Sequence, residues 1–357
     1  MELFLWLVRQ NAPSGHEGGL ASLLAERLSG LGFSVTADNA GATFGGEAGN
    51  VIGQRPGRGG TPLLFMAHMD TVEPTLGIRT HLQDGVIATD GRTILGADDR
   101  AGVAAVLEAI MAWGEELPGD LAVVFTVGEE TGLYGAKALD VAALGSRLGF
   151  VLDAGAPPGT IVVQAPFEEE LGITVHGRAA HAGVEPERGV NAIRVAAEAL
   201  SAVPMGRLDA VTTANAGLIR GGVATNIVPD RVDIQAEIRS LDYARLEEEL
   251  ARWQTAFAEA ARRAGATVEI THSLDYPGFR LDPSNPAVQR AARAAIRAGL
   301  EPVLQSRGGG SDTNILNARG INAVNLGVGV VGEHTHAEHV AVRDLVAAAR
   351  WVAAIMG

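Results

Sequence analysis

Three of the chain's nine histidines lie within the stretch GEHTHAEHV, residues 332–340. Imidazoles this close together could be metal ligands, a pH-sensitive patch or solvated loop residues. The chain contains no cysteine, which excludes disulfides and thiolate metal sites. Any metal must therefore be held by His, Asp and Glu, a donor set that suits Zn, Mn or Co better than Cu(I) or an iron–sulfur cluster.

Other polar side chains directly follow short apolar runs that are typical of buried strands, or begin the helix after such a run. They are His68 and Asp70 after TPLLFMA, Glu129 and Glu130 after LAVVFTV, Asp153 after LGFVL, and Asp98 and Asp99 after GRTILGA. The carboxyl ends of parallel strands form the ligand-binding edge of an open sheet, so these groups are expected to converge there. Several carboxylates in one cleft must protonate or bind cations, and the pattern therefore predicts a metal site.

Each of these groups also has an ordinary structural explanation. A single His at a strand end, such as His68, is more often hydrogen-bonded than metal-bound. The pair Glu129–Glu130 could be an exposed acidic turn, and Asp98–Asp99 could be a helix N-cap with a first-turn acid. Asp153 could cap a turn. Their joint placement favours the metal interpretation, because unrelated surface acids need not all fall at strand ends.

Elements that position such a cluster can be inferred from length and hydrophobic periodicity. The 357 residues exceed the usual length of one domain. Apolar runs alternate with helical patterns at both ends of the chain, which predicts an α/β domain with a mostly parallel sheet flanked by helices. Between them, period-two alternation indicates a small α+β sandwich. We predict a discontinuous catalytic domain, residues 1–162 and 277–357, with an inserted domain, residues 163–276.

The net charge and the length of the apolar runs limit which classes of partner the chain can bind. The formal net charge of −14 argues against nucleic acid and anionic membranes, which both need a basic surface. No apolar run approaches the roughly 18 residues of a membrane span, and the N-terminal stretch lacks the basic start and cleavage site of a signal peptide. We therefore expect a cytoplasmic protein.

Together, these motifs resemble the family of dizinc metallopeptidases that includes peptidase T, dizinc carboxypeptidases, aminoacylases and succinyl-diaminopimelate desuccinylase. The matching segments span nearly the whole chain in the family's order: AHMDTV, LGADDRAGVAA, TVGEETGLYGA, VLDAG, GRAAHAGVEPERGVNAI, GGVATNIVPD, RGGGSDTNI and HTHAE. Several of them look most like the peptidase T branch. The resemblance implies a zinc-exopeptidase-like α/β fold whose inserted domain is a ferredoxin-like lid that also mediates homodimerisation.

The resemblance also implies a role for each matched residue of the cluster. His68 and Asp153 would hold a first metal ion, Glu130 and His334 a second, and Asp98 would bridge them, with the ions roughly 3.5–4 Å apart. Zn²⁺ is the expected metal, with Co²⁺ or Mn²⁺ as alternatives.

Three further roles around the metals follow from the same resemblance. Asp70 would hydrogen-bond the His68 ring and fix its tautomer. Glu129 would be the general base, taking a proton from the attacking water and passing it to the leaving amine. The peptide bond between Asp98 and Asp99 would be cis, as in relatives.

Among the C-terminal histidines, the resemblance favours His334, because His334-Thr335 followed by Glu338 and an apolar residue fits the family's pattern. His336 is the second choice, since Ala337 follows it where Thr or Ser is expected. His339 is expected to be structural.

In the inserted domain, His181 matches the residue that stabilises the oxyanion in relatives, although a His in a Gly-rich turn is by itself more often structural. The residues implied in substrate binding are Asn226, Arg239, Gly309, Gly310 and Ser311, with Asp312 beside them. Arg239 offers a planar fork suited to a terminal carboxylate, whereas a lone Arg on a strand is usually a solvated charge. The glycine run lacks the Lys-Ser/Thr of a phosphate loop, so it is not expected to bind nucleotide phosphates. Its ordinary explanation is a flexible connection between a helix and a strand.

The resemblance thus implies an aminopeptidase that acts on short peptides, above all tripeptides, and an Asp at position 153 favours this activity. The alternative is an N-acyl amino acid deacylase, dipeptidase or carboxypeptidase with the same two-metal mechanism. A non-catalytic binding protein of the same fold is disfavoured, because every expected catalytic group is present.

Overall fold

The computed structural model describes all 357 residues. The chain forms two compact units: the first comprises Met1–Gln164, Arg280–Ser306 and Ser311–Gly357, and the second comprises Ala165–Phe279 and Arg307–Gly310. The sequence places the glycine-rich segment 307–310 in the catalytic domain, but here it groups with the second unit. One reason is that the Gly310 N–H donates a hydrogen bond to the Tyr276 hydroxyl, 3.0 Å away.

The chain contains nine α-helices and eighteen strands. The helices are α1 (Glu2–Val8), α2 (Gly18–Gly30), α3 (Ala97–Trp113), α4 (Tyr134–Ala138), α5 (Ala192–Ala202), α6 (Tyr243–Ala264), α7 (Pro286–Arg297), α8 (Asp312–Ala318) and α9 (Val342–Met356). The strands are β1 (Ser34–Ala37), β2 (Val51–Arg55), β3 (Gly60–His68), β4 (Thr80–Gln83), β5 (Val86–Thr89), β6 (Gly119–Thr126), β7 (Leu148–Ala154), β8 (Thr160–Ala165), β9 (Phe167–His176), β10 (Gly206–Arg207), β11 (Thr212–Gly221), β12 (Arg231–Ser240), β13 (Thr267–Tyr276), β14 (Phe279–Arg280), β15 (Val303–Ser306), β16 (Asn322–Gly327), β17 (Val330–Val331) and β18 (His339–Ala341). None of the helices combines the length and the apolar character needed to cross a membrane.

The first unit is built on a nine-stranded sheet in the order β1-β2-β6-β3-β7-β16-β8-β14, with β15 beside β8. Strand β3 is parallel to β6 and to β7, and β7 is parallel to β16. These strands are almost continuous apolar runs because helices cover both faces of such a sheet. The predicted mostly parallel α/β sheet is confirmed.

Helix α3 packs closely on this sheet because a buried glycine, Gly102, faces strand β7. A side chain at Gly102 would meet the Leu152 carbonyl oxygen at 2.0 Å. Glycine at this position therefore lets the helix approach β7. This close packing fixes where the start of α3 lies relative to the carboxyl ends of β3 and β7.

A separate four-stranded sheet, β17-β18-β5-β4, carries the C-terminal histidine stretch. Strands β17 and β18 are antiparallel, with Val331 opposite His339. The loop between them contains His334 and His336. The hairpin thus presents one histidine-rich loop, anchored on both sides by strand pairing.

The second unit is an antiparallel sheet in the order β10-β11-β12-β9-β13 with two helices, α5 and α6. Alternate residues of its strands form a separate core with α6, including Val175, Ile238, Trp253 and Phe257. Apart from the short β10, the elements follow the order strand–helix–strand–strand–helix–strand that the sequence predicts.

Candidate metal centre

The end of β3, the start of α3 and the end of β7 bring three side chains of the first unit together. His68 Nε2 lies 3.0 Å from Asp98 Oδ1 and 3.6 Å from Asp153 Oδ1. His68 is almost completely buried, with 2% of its side chain exposed. These three residues form one His-and-carboxylate set, at the sheet edge that the sequence predicts.

A second set shares Asp98 with the first. His334 Nε2 lies 2.9 Å from Glu130 Oε2 and 3.3 Å from Asp98 Oδ2. The two oxygens of Asp98 therefore face different histidines, Oδ1 toward His68 and Oδ2 toward His334. This is the arrangement expected of a carboxylate that bridges two cations.

The donor atoms fit divalent metal ions. Within each set they all lie within 4.8 Å of one another. One oxygen of Glu130 is buried and has no hydrogen-bond partner, which is unusual unless another ligand satisfies it. The sets are His, Asp, Asp and His, Asp, Glu, which suits Zn, Mn or Co.

The neighbouring carboxylates stabilise the protonated form of both histidines, His68 and His334. Burial opposes a charge on His68, but hydrogen bonds with the surrounding carboxylates, Asp153 first, hold its pKa well above the ordinary value. Hydrogen bonds with Asp98 and Glu130 raise the pKa of His334 to about 10. Burial also raises the pKa of Asp153 to about 7. Such a site needs cations to balance its carboxylates.

Glu338 and Asp99 hold the start of α3 in place. The carboxylate of Glu338 accepts the N–H groups of Gly96, at 2.6 Å, and Asp98, at 2.9 Å. Asp99 accepts the N–H groups of Gly102 and His68 at 2.9 and 3.2 Å. The Asp98–Asp99 peptide bond is cis, as the family resemblance implies. Asp99 is thus a structural neighbour of the sets and not a member of them.

Asp70 connects His68 to the turn after β6. His68 Nδ1 faces the Asp70 carbonyl oxygen at 3.1 Å and its carboxylate at 3.4 Å. An N–H at Nδ1 that donates to this carbonyl leaves Nε2 as the ligand atom. The same carboxylate accepts the backbone N–H groups of Glu129 and Glu130, both at 3.1 Å.

Glu129 lies on that turn beside Glu130. Burial raises the pKa of its carboxyl well above the ordinary value, and the nearby charge of Asp153 acts in the same direction. A carboxylate with a raised pKa is better suited to accept a proton near neutral pH.

The three C-terminal histidines have different environments. His334 belongs to the second set. His336 contacts the Gly91 carbonyl oxygen at 3.1 Å and Glu73 at 2.7 Å. His339 begins β18, and its Nδ1 lies 2.9 Å from the Ala337 carbonyl oxygen.

The second unit brings His181 and Asn226 together. Residues 181 and 227 form an isolated β-bridge, and the Ala182 N–H donates to the Asn226 carbonyl oxygen at 2.9 Å. His181 Nδ1 accepts the N–H groups of Gly183 and Val184, at 3.1 and 3.2 Å. A neutral imidazole whose Nδ1 accepts hydrogen bonds carries its proton on Nε2.

Arg239 and Gly310 belong to another cluster of the second unit. The guanidinium donates two hydrogen bonds to Glu237, at 2.9 and 3.1 Å, and one to the Tyr276 hydroxyl at 3.2 Å. It also lies 3.3 Å from Glu168. Tyr276 accepts the N–H of Gly310, whereas Gly309 is exposed.

Ser311 and Asp312 lie in the first unit, at the start of α8. The Ser311 hydroxyl accepts the Thr313 N–H in a capping box with Asn314. Asp312 is buried, and its Oδ2 accepts the Thr126 hydroxyl at 2.6 Å. Burial raises the pKa of Asp312 to about 6.

Sequence reasoning misses several residues that support the site. They are the buried Glu17, Asn50 and Glu338, the last in its supporting role, and the half-buried Ser14. Three of these bond to backbone N–H groups, which leave no trace in the sequence. The segment PSGHEG, between the first two helices, is the one available signal, since it gathers Ser, His and Glu in a short polar connection.

The fold and the two linked donor sets define a candidate two-metal hydrolase. The family described as peptidase family M20/M25/M40 matches residues 64–357, and the chain belongs to this family. The resemblance inferred from the motifs is thereby confirmed.

Three proteins are similar to this chain over almost its entire length. The uncharacterized protein YqjE of Bacillus subtilis (strain 168) is 42% identical over 100% of this chain and 97% of its own. Aminopeptidase PepT from Bacillus cereus ATCC 10987 is 41% identical, with a TM-score of 0.89, covering 99% of this chain and 96% of its own. A tripeptidase from Staphylococcus aureus subsp. aureus mu50 is 38% identical, with a TM-score of 0.94 and the same coverage.

Proposed function

We propose that this protein is a metal-dependent aminopeptidase that removes the N-terminal residue of short peptides, above all tripeptides. The observation that carries the proposal is the position of Asp98, whose two oxygens face His68 and His334, beside the turn that carries Glu129. The similarity to a PepT aminopeptidase and to a tripeptidase supports this choice of substrate.

His68 and Asp153 would hold one divalent ion, Glu130 and His334 a second, and Asp98 would contact both. Zn²⁺ fits this donor set, and Co²⁺ or Mn²⁺ are alternatives. Bound metal ions would polarise the scissile carbonyl and lower the pKa of water.

Within this site, Glu129 acts as the general base. It takes a proton from the attacking water and gives it to the leaving amine. Asp70 keeps His68 in the ligand tautomer and holds the backbone of Glu129. The Nε2–H of His181 would donate to the oxyanion, because its Nδ1 already accepts two N–H groups.

The remaining substrate-binding roles rest on the family resemblance. Asn226 lies beside His181 and would contact the peptide backbone. Arg239 would bind the terminal carboxylate of the substrate, which then has to share the guanidinium with Glu237 and Glu168. Gly309, Gly310 and Ser311 would line the substrate pocket.

The second unit would also mediate a homodimer. Strand β10 pairs only with Thr213 and Ala214 of β11, so the remainder of that edge is open. Along this open part, Leu218 and Ile219 are 49% and 55% exposed. An open apolar edge strand is a template for pairing with a second copy of the chain.

A cytoplasmic location stays a prediction from the sequence.

The experiment is an assay of the purified, Zn²⁺-loaded protein on free tripeptides, N-acetylated tripeptides and N-acetyl amino acids. The proposal expects cleavage of free tripeptides and little activity on either blocked substrate. Preferential hydrolysis of N-acetyl amino acids would instead identify a deacylase that uses the same metal centre. Release of the C-terminal residue from the free tripeptide would identify a carboxypeptidase.

A further inference from the structure

The turn that carries Glu129 and Glu130 is held by side chains from distant parts of the first unit. Four consecutive backbone N–H groups each donate to a side-chain oxygen. Val127 donates to Asn50 Oδ1 at 3.2 Å, Gly128 to Glu17 Oε1 at 2.9 Å, Glu129 to Asp70 Oδ1 at 3.1 Å and Glu130 to Asp70 Oδ2 at 3.1 Å. Each peptide plane leading into the two catalytic carboxylates therefore has its own acceptor.

The three acceptor residues, Asn50, Glu17 and Asp70, are all completely buried. Water therefore does not compete for these bonds, which are stronger in such surroundings than at a surface. Asn50 and Asp70 each have further partners: Asn50 donates to Asp38 and to the Gly135 carbonyl, and Asp70 accepts the Ser14 hydroxyl at 2.6 Å. In Glu17, Oε1 accepts the Gly128 N–H, whereas Oε2 is buried without a hydrogen-bond partner.

Gly128 is the flexible point of this turn. Its φ is +58°, in the left-handed region that favours glycine, and a Cβ there would meet the Phe44 ring at 2.7 Å. A glycine has no side chain to restrict its rotation. The bond to Glu17 therefore restrains the peptide plane before Gly128, whereas Asp70 holds the next plane, before Glu129, so that the Gly128 backbone is fixed on both sides.

We propose that Glu17 is a positioning residue for Glu129: its buried oxygen fixes the Gly128 peptide and thereby the direction in which the Glu129 carboxylate points. The proposal rests on the role of Glu129 as general base in the proposed function. It assigns a catalytic consequence to the N-terminal segment PSGHEG, which contributes no ligand to either metal set.

The test compares Glu17→Ala with Glu17→Gln, in Zn²⁺-saturated protein and well below the melting temperature. The alanine variant removes the acceptor, so kcat for a tripeptide should fall about 10- to 100-fold, as expected for a misplaced catalytic group. KM should stay within about twofold, and metal content should stay at wild-type stoichiometry. The glutamine variant keeps an oxygen acceptor and should restore kcat to within about threefold of wild type.

Ser146→Ala is a matched structural control, because Ser146 is also buried in the first unit and its hydroxyl bonds to the Pro62 and Leu148 carbonyls. It should lower the melting temperature and leave kcat and KM unchanged. If Glu17→Ala does not fold, Glu17→Leu provides the same loss of acceptor with the volume retained, and the same fall in kcat is expected.

Three results would overturn the proposal: an unchanged kcat in the variants without an acceptor, a loss in Glu17→Gln as large as in Glu17→Ala, or a loss that added metal reverses. Glu129→Gln is assayed in parallel to separate this proposal from the function itself. If Glu129→Gln is inactive while Glu17→Ala is normal, only the positioning role fails. If Glu129→Gln is fully active, the proposed mechanism fails, and the positioning role with it.

Discussion

Two polar clusters, one in each unit, balance their carboxylates in different ways. In the second unit, the guanidinium of Arg239 lies between Glu237 and Glu168 and supplies the positive charge from within the chain. In the first unit, the two donor sets consist of three carboxylates and the imidazoles of His68 and His334.

The difference bears on which of the two clusters can bind metal ions. Carboxylates that face an arginine have part of their charge balanced within the chain, so they have less reason to bind cations. Carboxylates that lack such a partner must take protons or cations from solution. Catalysis by metal ions is available only in the second situation, and the following experiments test that contrast, beginning with the largest expected effect.

The first prediction concerns the base. Replacing Glu129 by Gln should lower kcat by about 10²- to 10⁴-fold, because a proton acceptor is lost, while metal content by elemental analysis stays unchanged. A Glu129→Gln enzyme with normal turnover would contradict the assignment.

The second prediction concerns the cations themselves. Chelation should abolish peptidase activity and lower the melting temperature, since ions at 100-fold their dissociation constant stabilise the folded state by about 2.7 kcal/mol. Zn²⁺ should restore both. Calorimetry of the protein with and without chelator measures the change, and Glu130→Gln is the matched variant in which the metal-dependent shift should be smaller. If the chelator changes neither the melting temperature nor the activity, the metal-centre interpretation is wrong.

The third prediction separates the C-terminal histidines. His334→Ala should reduce the bound metal from about two ions to about one per chain. Of the three C-terminal histidines, His334 is the one whose imidazole contacts Asp98 and Glu130. His339→Ala should keep the wild-type content. His336→Ala is expected to behave like His339→Ala, because its ring contacts Glu73 instead of the metal sets. Equal metal loss in all three variants would remove the distinction.

The fourth and smallest prediction concerns the self-balanced cluster. Burial raises the pKa of Glu168 to about 7 in the folded protein, above the ordinary value of 4.5. Between these two pH values the folded state binds a proton that the unfolded state has released. Stability from this group should therefore fall as pH rises from 4.5 to 7, by an amount of the order of 1–3 kcal/mol.

Urea denaturation across this pH window measures the effect, and Glu168→Gln should flatten the pH dependence. Glu170→Gln is the control, because Glu170 lies on the same strand but is exposed. If Glu168→Gln keeps the wild-type slope, another group is responsible for the pH dependence.

The convergence of these side chains was predictable from the sequence, because the position of a strand end in the chain determines its position at the sheet edge and His68, Glu130 and Asp153 all follow apolar strands. Which residue belongs to which metal set came from the family resemblance. The supporting residues were not predictable in this way. Glu17 and Asn50 bond to backbone N–H groups, and every residue type in the turn except proline would present the same donor.

The environment of Arg239 illustrates a second limit. The strand could be recognised, but its partner depends on the register between β12 and β9, which places Arg239 directly opposite Glu168. Register is a long-range property that local alternation does not reveal. For the same reason, the segment 307–310 was assigned to the catalytic domain, whereas its contact with Tyr276 becomes visible only in the folded chain.

The hairpin that carries His334 has a kinetic consequence. The side chain of His334 is 51% exposed, whereas that of His68 is 2% exposed. An ion held partly by the hairpin loop should leave more readily, after local motion of that loop, than an ion beside the buried His68. The two ions should therefore exchange with solution at different rates. Brief dialysis against a second metal would then yield a mixed-metal enzyme with the original ion retained at His68.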